Sequence, residues 1–236
     1  MCNDVERRFG NSAATYEAAA DVQRRVALRL SDMVLPHLGQ RKTVFEFGCG
    51  TGLFSRLIAC GARPAAFYLN DLSADMLAVA KGKIVATCSP GSVIDMVGDA
   101  EVMPWPSADA VLSASAVQWF NSPLSAVRRA SEALRPGGII SLATYGPLTF
   151  RELREGLPCS YPSPQDWELE LKDCGFQILA FESFLLTQSF ASRMALLRMV
   201  VRTGVGSRGE KQSASALHGE CRLTWQPIMF VARLLG

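Results

Sequence analysis

The sequence has very little histidine and no closely paired cysteines, which argues against two common kinds of site. His37 and His218 are its only histidines, and they lie far apart in the chain. The seven cysteines are scattered, their number is odd, and no Cys-x-x-Cys motif occurs. A histidine-centred metal site, a catalytic triad, a zinc site and a disulfide framework are therefore not expected, and no metal ligand is assigned. Reduced cysteines fit a cytoplasmic protein.

The chain also lacks a long apolar run and a strong excess of charge. No apolar stretch reaches the ~18 residues that a membrane span needs, and the first ten residues contain no signal-peptide core. The formal net charge of +2 is far from the basic excess of nucleic-acid-binding proteins. Neither a membrane nor nucleic acid is an expected partner. With 236 residues, 49% of them hydrophobic, the chain suits one α/β domain with a small cap.

What the chain does have is an alternation of short apolar runs with helical patterns. Strands are predicted at 43–47, 65–69, 93–97, 109–113 and 139–145, and helices at 12–35, 53–60, 73–83 and 123–134. Ser73 is the predicted cap of the third helix, Gly61 ends the second, and Pro123 opens the fourth. This alternation predicts a mostly parallel sheet with helices on both faces, so functional residues should follow the carboxyl ends of the strands.

The pattern changes after Tyr145. A helix is predicted at about 165–174, a strand-like run at 176–189, a helix at 191–202 and a last strand at 222–231. Segments 146–165 and 190–222 are interpreted as a small helical lid over the carboxyl edge of the sheet. The expected organisation is one domain over 1–236, with an N-terminal helical segment (about 1–40), a core (about 41–145), and the lid with C-terminal strands (about 146–236).

Three glycines follow the first predicted strand, at Gly48, Gly50 and Gly52. The dinucleotide fingerprint GxGxxG would place its third glycine at 53, where the chain has Leu53. Glu46 lies two residues before the first glycine, where it would repel a pyrophosphate but attract a cation. S-adenosylmethionine carries no phosphate, and it has an ammonium and a carboxylate. The turn therefore favours this methyl donor, although a plain tight turn of another doubly wound fold has similar spacing.

Two further acids follow the second and third strands. Asp71 is placed to accept both ribose hydroxyls, or it is a helix-start acid favoured by the helix dipole. Asp99 is placed to accept the adenine amino group, with the N–H of Ala100 at a ring nitrogen, or it is a turn aspartate. Three acids at successive strand ends are more specific than one motif. The residues predicted to bind the donor are Glu46, Gly48, Cys49, Gly50, Gly52, Asp71, Leu72, Met76, Asp99, Ala100 and Ser113.

Several short segments carry a resemblance to a known family. They are Phe9–Glu17, Leu72–Leu77, Ala116–Trp119, Thr203–Gly206 and Leu223–Trp225. With them the chain resembles the class I S-adenosylmethionine-dependent methyltransferases, and more closely the malonyl-carrier-protein O-methyltransferase family of biotin synthesis. The resemblance runs nearly end to end and implies a Rossmann-like fold with a seven-stranded, mostly parallel sheet. The lid between Tyr145 and Trp167 is shorter than in the family, and 206–223 is weakly patterned, so donor binding carries over more safely than acceptor identity.

The resemblance implies methyl transfer to the free carboxylate of a malonyl thioester, on acyl-carrier protein or coenzyme A, with S-adenosylhomocysteine as the other product. This carboxylate is ionised at pH 7, so positioning and exclusion of water replace a general base. Tyr16 is implied to face the donor, while Arg151 could pair with the malonyl carboxylate. Gln118 and Trp119 could line the transfer pocket. For Tyr16 and Trp119 the alternative is packing, and for Arg151 it is a solvated charge.

A carrier protein is expected to be acidic, so its docking surface should be basic. Two basic clusters are candidates, although solvated helix faces explain them equally well: Arg24, Arg25 and Arg29, and Arg193, Arg198, Arg202, Arg208 and Lys211. A monomer is expected. The alternatives are a methyltransferase for a quinone precursor or another carboxylic acid, a nucleic-acid methyltransferase, and a regulatory protein that binds the donor without turnover. The amino-methylating motif of nucleic-acid enzymes is missing at 113–116.

Overall fold

The computed structural model describes residues 21–40, 42–88, 90–153, 161–202 and 221–236. Its helices are α1 (Asp21–Leu38), α2 (Leu53–Ala62), α3 (Ala74–Thr87), α4 (Ser125–Ala133), α5 (Pro164–Asp173) and α6 (Arg193–Arg202). Its strands are β1 (Thr43–Phe47), β2 (Ala66–Asp71), β3 (Ser92–Val97), β4 (Ala108–Ala114), β5 (Leu134–Tyr145), β6 (Phe176–Ser183), β7 (Leu186–Ser189), β8 (Arg222–Trp225) and β9 (Pro227–Leu234). Short 3₁₀ turns occur at Val117–Trp119 and Arg151–Leu153. Among these residues no helix is long and apolar enough to cross a membrane.

Seven strands form one sheet in the order β3-β2-β1-β4-β5-β9-β6. Strands β1 to β5 are parallel to their neighbours, and β9 is antiparallel to both β5 and β6. The predicted seven-stranded, mostly parallel sheet is therefore confirmed. Because β1 pairs with β2 on one side and β4 on the other, the strand order reverses at β1, and ligands of such folds bind beyond that point.

Apolar side chains of the inner strands alternate between two packed layers. Val44 and Leu112 belong to the layer that includes α1, α2 and α3, whereas Phe45 and Val111 belong to the layer that includes α4 and α5. This alternation on central strands requires apolar residues at every position, which explains the continuous apolar runs in the sequence. Helices therefore cover both faces, as predicted.

The predicted strand at 176–189 is in fact two strands that belong to different sheets. β6 stays in the main sheet, whereas β7 leaves it and pairs with β8, with Leu186 opposite Trp225. The last strand divides in the same way, between Trp225 and Pro227. Since Pro227 pairs with Tyr145 at the end of β5, the small β7–β8 sheet begins at the carboxyl edge of the main sheet. A single alternating run cannot show which partner each half has.

Several predicted helix boundaries were wrong: the first and third helices run on to Leu38 and Thr87, and two further differences have a clear physical reason. Gly61 lies inside α2, which ends at Ala62 and is followed by the cap residue Arg63, with a left-handed φ of 47°. A Cβ at Gly61 would lie 2.6 Å from Leu35 Cδ2, so this glycine allows α1 and α2 to pack closely. The fourth helix begins at Ser125 rather than at Pro123, because the Ser125 N–H closes a turn onto the carbonyl of Ser122.

The expectation that the cysteines stay unpaired was also wrong. Cys60, in the last turn of α2, forms a disulfide with Cys88, the residue that follows α3. The two cysteines are 28 residues apart, and only the side-by-side packing of α2 and α3 brings them together. Within the described residues, Cys49, Cys174 and Cys221 are free.

Candidate functional site

The glycine loop between β1 and α2 is pressed between two neighbouring segments. Its three glycines all have left-handed φ angles, of 63° at Gly48, 53° at Gly50 and 80° at Gly52. A Cβ at Gly48 would lie 2.2 Å from the Cβ of Ala116, and one at Gly52 would lie 2.9 Å from the Cα of Ala80. A Cβ at Gly50 would meet nothing within 4 Å. The loop thus packs against the residues after β4 and against α3, and its middle glycine faces open space.

Gly48→Ala is expected to destabilise the protein by about 3 kcal/mol, because a left-handed backbone strain of roughly 1 kcal/mol adds to an overpacking cost of roughly 1–3 kcal/mol. Gly50→Ala is the matched control, since it has a similar φ but no neighbour to strike. It should cost only about 1 kcal/mol. Urea unfolding of both variants measures the difference. Equal losses would show that the contact with Ala116 is unimportant.

Glu46, near the carboxyl end of β1, is a buried acid with an unsatisfied oxygen. Its side chain is 1% exposed, and Oε2 has no hydrogen-bond partner among the described residues. Burial raises the pKa of the carboxyl to about 8; the Ser55 hydroxyl opposes this shift and the charge of Asp71 adds to it. A buried hydrogen-bond acceptor without a partner is costly. A positively charged ligand group that donates a hydrogen bond to Glu46 would therefore stabilise the ionised carboxylate.

Asp71 joins the glycine loop to the start of α3. Its Oδ2 accepts from the N–H of Gly50 at 2.9 Å, and its Oδ1 accepts from the N–H of Ser73 at 3.0 Å. Burial raises the pKa of this carboxyl, while these backbone hydrogen bonds oppose the shift. Asp71 therefore accepts a hydrogen bond at the start of α3, as expected of a helix-start acid, and it also fixes the loop that carries Gly50.

The sequence interpretation missed Asn70. This side chain is buried, and its Nδ2 donates to the carbonyls of Met96 and Gly98, at 2.8 Å each. The backbone carbonyl of Asn70 accepts from the N–H of Cys49 at 2.9 Å. Asn70 thus fixes the loops after β1 and β3 to the end of β2. The sequence signal that could have identified Asn70 is an amide directly after the apolar run of β2, next to Asp71, which was already predicted to bind the methyl donor.

The remaining predicted donor residues lie around these strand ends. Asp99 Oδ1 accepts from the N–H of Glu101 at 2.9 Å, which is the bond of a turn aspartate, and the Ala100 carbonyl accepts from Trp105 Nε1 at 2.8 Å. Leu72 is partly exposed between β2 and α3, and Met76 is buried in the first turn of α3. Their roles toward a donor stay predictions.

The segment after β4 holds a second unsatisfied acceptor. Ser113 is fully buried, and its hydroxyl donates to the Phe47 carbonyl at 2.9 Å, which links β4 to β1. Gln118 Nε2 donates to the Ser115 carbonyl at 2.7 Å, while its Oε1 is buried without a partner among the described residues. The Ser115 hydroxyl lies 3.1 Å from the Tyr145 hydroxyl. The backbone of Ser115 is left-handed, with a φ of 64°. No sequence signal pointed to this hydroxyl pair.

The residues predicted for the methyl acceptor are only partly described by the structure. Tyr16 lies outside the described residues. Arg151 has a 47% exposed side chain, and its Nε lies 3.6 Å from Glu152 Oε1, so its charge already has a partner. Glu152 in turn accepts from the N–H of Thr224 at 2.9 Å, which fixes the start of the lid to β8. In the basic clusters, Arg29 is paired with Glu182.

Comparisons with known proteins agree with this arrangement. A methyltransferase-domain family model matches residues 45–142. A malonyl-[acyl-carrier protein] O-methyltransferase of Bacteroides thetaiotaomicron is 32% identical over 94% of this chain and 84% of its own length. A protein of the same name from Acinetobacter baylyi is 28% identical over 97% of this chain and 95% of its own length.

Solved structures show the same fold. The magnesium protoporphyrin IX methyltransferase of Synechocystis, with bound SAH, matches 98% of this chain and 99% of its own, with a TM-score of 0.63 at 15% identity. At that identity the likeness concerns the fold alone. The sequence relatives extend over nearly the whole length on both sides, and they decide the family. The chain belongs to the malonyl-[acyl-carrier protein] O-methyltransferase family.

Proposed function

We propose that the protein transfers a methyl group from S-adenosylmethionine to the free carboxylate of malonyl-[acyl-carrier protein]. The products are the malonyl methyl ester, which starts biotin synthesis, and S-adenosylhomocysteine. The observation that carries the proposal is the relationship to the Bacteroides thetaiotaomicron protein of that name over 94% of the chain. The unsatisfied oxygen of Glu46 beside the glycine loop supports the donor independently.

The residues at the strand ends fit this donor. Glu46 Oε2 is a buried acceptor without a hydrogen-bond donor, so it can accept from the ammonium of the ligand. The open side of Gly50 leaves room for a ligand against the backbone. Asp71 and Asp99 are proposed for the ribose and the adenine. Nearer the loop, Cys49, Gly48, Gly52 and Ser113 shape the site, and Leu72, Met76 and Ala100 are proposed to border the nucleoside. When bound, S-adenosylmethionine supplies an electrophilic methyl group on a sulfonium.

The chain needs no general base for this reaction. The malonyl carboxylate is already ionised at pH 7, so the protein has to orient it and exclude water. Gln118 is proposed to line the transfer pocket, where its buried Oε1, which has no partner among the described residues, would accept from an N–H or O–H group of a ligand and not from the carboxylate. Tyr16 is proposed to cover the donor. Methylation removes a charge that an apolar acyl pocket would reject, which gives the product a use in chain elongation.

The partner and the compartment belong to the same proposal. The acceptor's handle is an acyl-carrier protein rather than coenzyme A, and an acidic carrier would meet exposed basic residues such as Arg198. The protein is proposed to act as a monomer in the cytoplasm.

Mass spectrometry of malonyl-carrier protein incubated with the protein and S-adenosylmethionine tests the function. The expected result is a mass gain of one methylene that an esterase reverses. Acetyl-carrier protein, which has no free carboxylate, should gain nothing, and malonyl-coenzyme A should react more slowly. Donor binding by calorimetry without any gain on malonyl-carrier protein would contradict the proposal and favour another acceptor or a regulatory role.

A further inference from the structure

Arg193, the first residue of α6, has a guanidinium in which two nitrogens are buried without a hydrogen-bond partner among the described residues. These nitrogens are Nε and Nη2. The interpretation of this basic cluster as a solvated helix face therefore fails for Arg193, because a solvated guanidinium exposes these atoms to water. Arg198, five residues along the same helix, is exposed as that interpretation expects.

An arginine in this condition calls for an anionic ligand. A guanidinium carries a positive charge and five N–H donors, and it has no acceptor. A buried charge without a partner is costly, and it persists where a ligand repays the cost. Nε–H and Nη2–H are parallel donors on one side of the planar group, and this fork matches the two oxygens of a carboxylate. The unpaired atoms are therefore the two that a carboxylate would bind together.

Helix α6 packs on the apolar layer that also holds the ends of β5 and β8. Leu196 and Met199 are buried in the same apolar cluster as Tyr145 and Trp225. Arg193 lies one turn before Leu196, so the two side chains share a helix face. Trp225 ends β8 beside the end of β5, where the N–H of Gly146 donates to the carbonyl of Gln226 at 2.8 Å.

The carboxyl edge of the sheet carries the other features of the acceptor side. The Ser115–Tyr145 hydroxyl pair follows β4 and ends β5, and Ala116 packs on Gly48 of the glycine loop. Arg151, the alternative arginine on this side, is occupied by Glu152.

We propose that Arg193 binds the free carboxylate of the malonyl group through its Nε–Nη2 fork. This inference rests on the proposed function and adds the residue that recognises the acceptor. A carboxylate has about four lone-pair sites, and the fork uses two of them, so an oxygen lone pair remains for the methyl group. The methyl ester has lost the negative charge that matches the fork, so the product binds Arg193 more weakly than the substrate does.

The test compares Arg193→Met and Arg193→Lys with the same changes at Arg233, an exposed arginine at the amino edge of β5. Arg193→Met should raise KM for malonyl-carrier protein by about 10- to 100-fold, the loss expected for hydrogen bonds to a charged group. Arg193→Lys should recover only part of this, because an ammonium lacks the fork. The Kd of S-adenosylmethionine should stay unchanged in both, and the Arg233 variants should behave like the wild type.

Two further measurements separate carboxylate binding from other roles of Arg193. Acetyl-carrier protein has the same phosphopantetheine arm but no free carboxylate, so its inhibition constant should be unaffected by Arg193→Met. An equal weakening of both carriers would mean that Arg193 binds the phosphate, and would overturn the inference. The thermal midpoint of Arg193→Met should not fall, because the change removes an unpaired buried charge.

The remaining outcomes distinguish the inference from the proposed function. A lower thermal midpoint together with weaker donor binding would show a structural role, which also overturns the inference. If the wild type methylates malonyl-carrier protein and Arg193→Met does so with the same KM, only the Arg193 assignment is wrong. If the wild type itself fails to methylate it, the proposed function is wrong.

Discussion

Raising the pH from 6 to 8 is expected to tighten the binding of S-adenosylmethionine about 20-fold, because Glu46 must lose a proton to pair with the donor's ammonium. The pKa of Glu46 is raised to about 8 by burial, so at pH 6 nearly all of the free protein carries the neutral acid. An α-amino group titrates at about 7.7–8.0, so the ammonium itself begins to disappear above this range. Affinity should therefore pass through a maximum near pH 8, which calorimetry at constant ionic strength measures.

The matched variant is Glu46→Gln, which keeps the shape of the side chain and removes its titration. Its donor affinity should be weaker at pH 8 by about tenfold or more, the loss of a charge-assisted hydrogen bond. Between pH 6 and 7 its affinity should be nearly constant, while that of the wild type rises steeply. A wild-type affinity that is flat from pH 6 to 8 would show that Glu46 does not meet the ammonium.

The same titration makes the ligand-free protein less stable as the pH rises. The folded-state pKa of about 8 lies above the ordinary value of 4.5, so between these values the folded protein holds a proton that the unfolded chain has released. The stabilisation is complete below pH 4.5 and is lost as the pH rises through 8, by up to about 5 kcal/mol. Glu46→Gln should remove this slope, so the variant should be more stable than the wild type at pH 8.5 without donor.

The sequence signals for the carboxyl edge of the sheet are local. A buried parallel strand is a continuous apolar run, and glycines and acids directly after such runs mark the carboxyl edge. Glu46, Asp71 and Asp99 needed no knowledge of distant residues, only the knowledge that parallel strands end at the same edge. The structure puts them at the ends of three adjacent strands, and the hydrogen bond that Asp71 accepts from the N–H of Gly50 connects two of the predicted elements directly.

The acceptor side could not be predicted in this way, because its features depend on contacts between distant segments. The two-way split of 176–189 is set by pairing with β8 and β9. The Ser115–Tyr145 pair joins residues that only the β4–β5 register brings together. Arg193 looked like one more charge in a basic helix, but its Nε and Nη2 atoms are buried. Sequence spacing gives a helix face but not what covers it.

Asp71→Asn is expected to weaken the binding of S-adenosylmethionine by about 100-fold, because it changes both the loop and the proposed ribose contact. The carboxylate accepts from Gly50 at 2.9 Å and from Ser73 at 3.0 Å. An amide has one oxygen, so its NH₂ group would face one of these N–H donors and leave it unpaired. Hydrogen bonds to charged groups are worth roughly 1.5–3 kcal/mol, which corresponds to about 10- to 150-fold in Kd.

Asp95→Asn is the matched control for Asp71→Asn. Asp95 lies on the neighbouring strand β3 and pairs with Lys81 at 2.9 Å, but both side chains are exposed, by 38% and 41%. Exposed pairs contribute about 0–1 kcal/mol to stability, and Asp95 makes no hydrogen bond to the loop backbone among those of the described residues, so donor affinity should change less than about twofold. Calorimetry on both variants separates the loss of one negative charge from the loss of the Gly50 and Ser73 contacts. If Asp95→Asn weakened donor binding as much as Asp71→Asn does, the effect would be general electrostatics, and Asp71 would have no special role in holding the glycine loop.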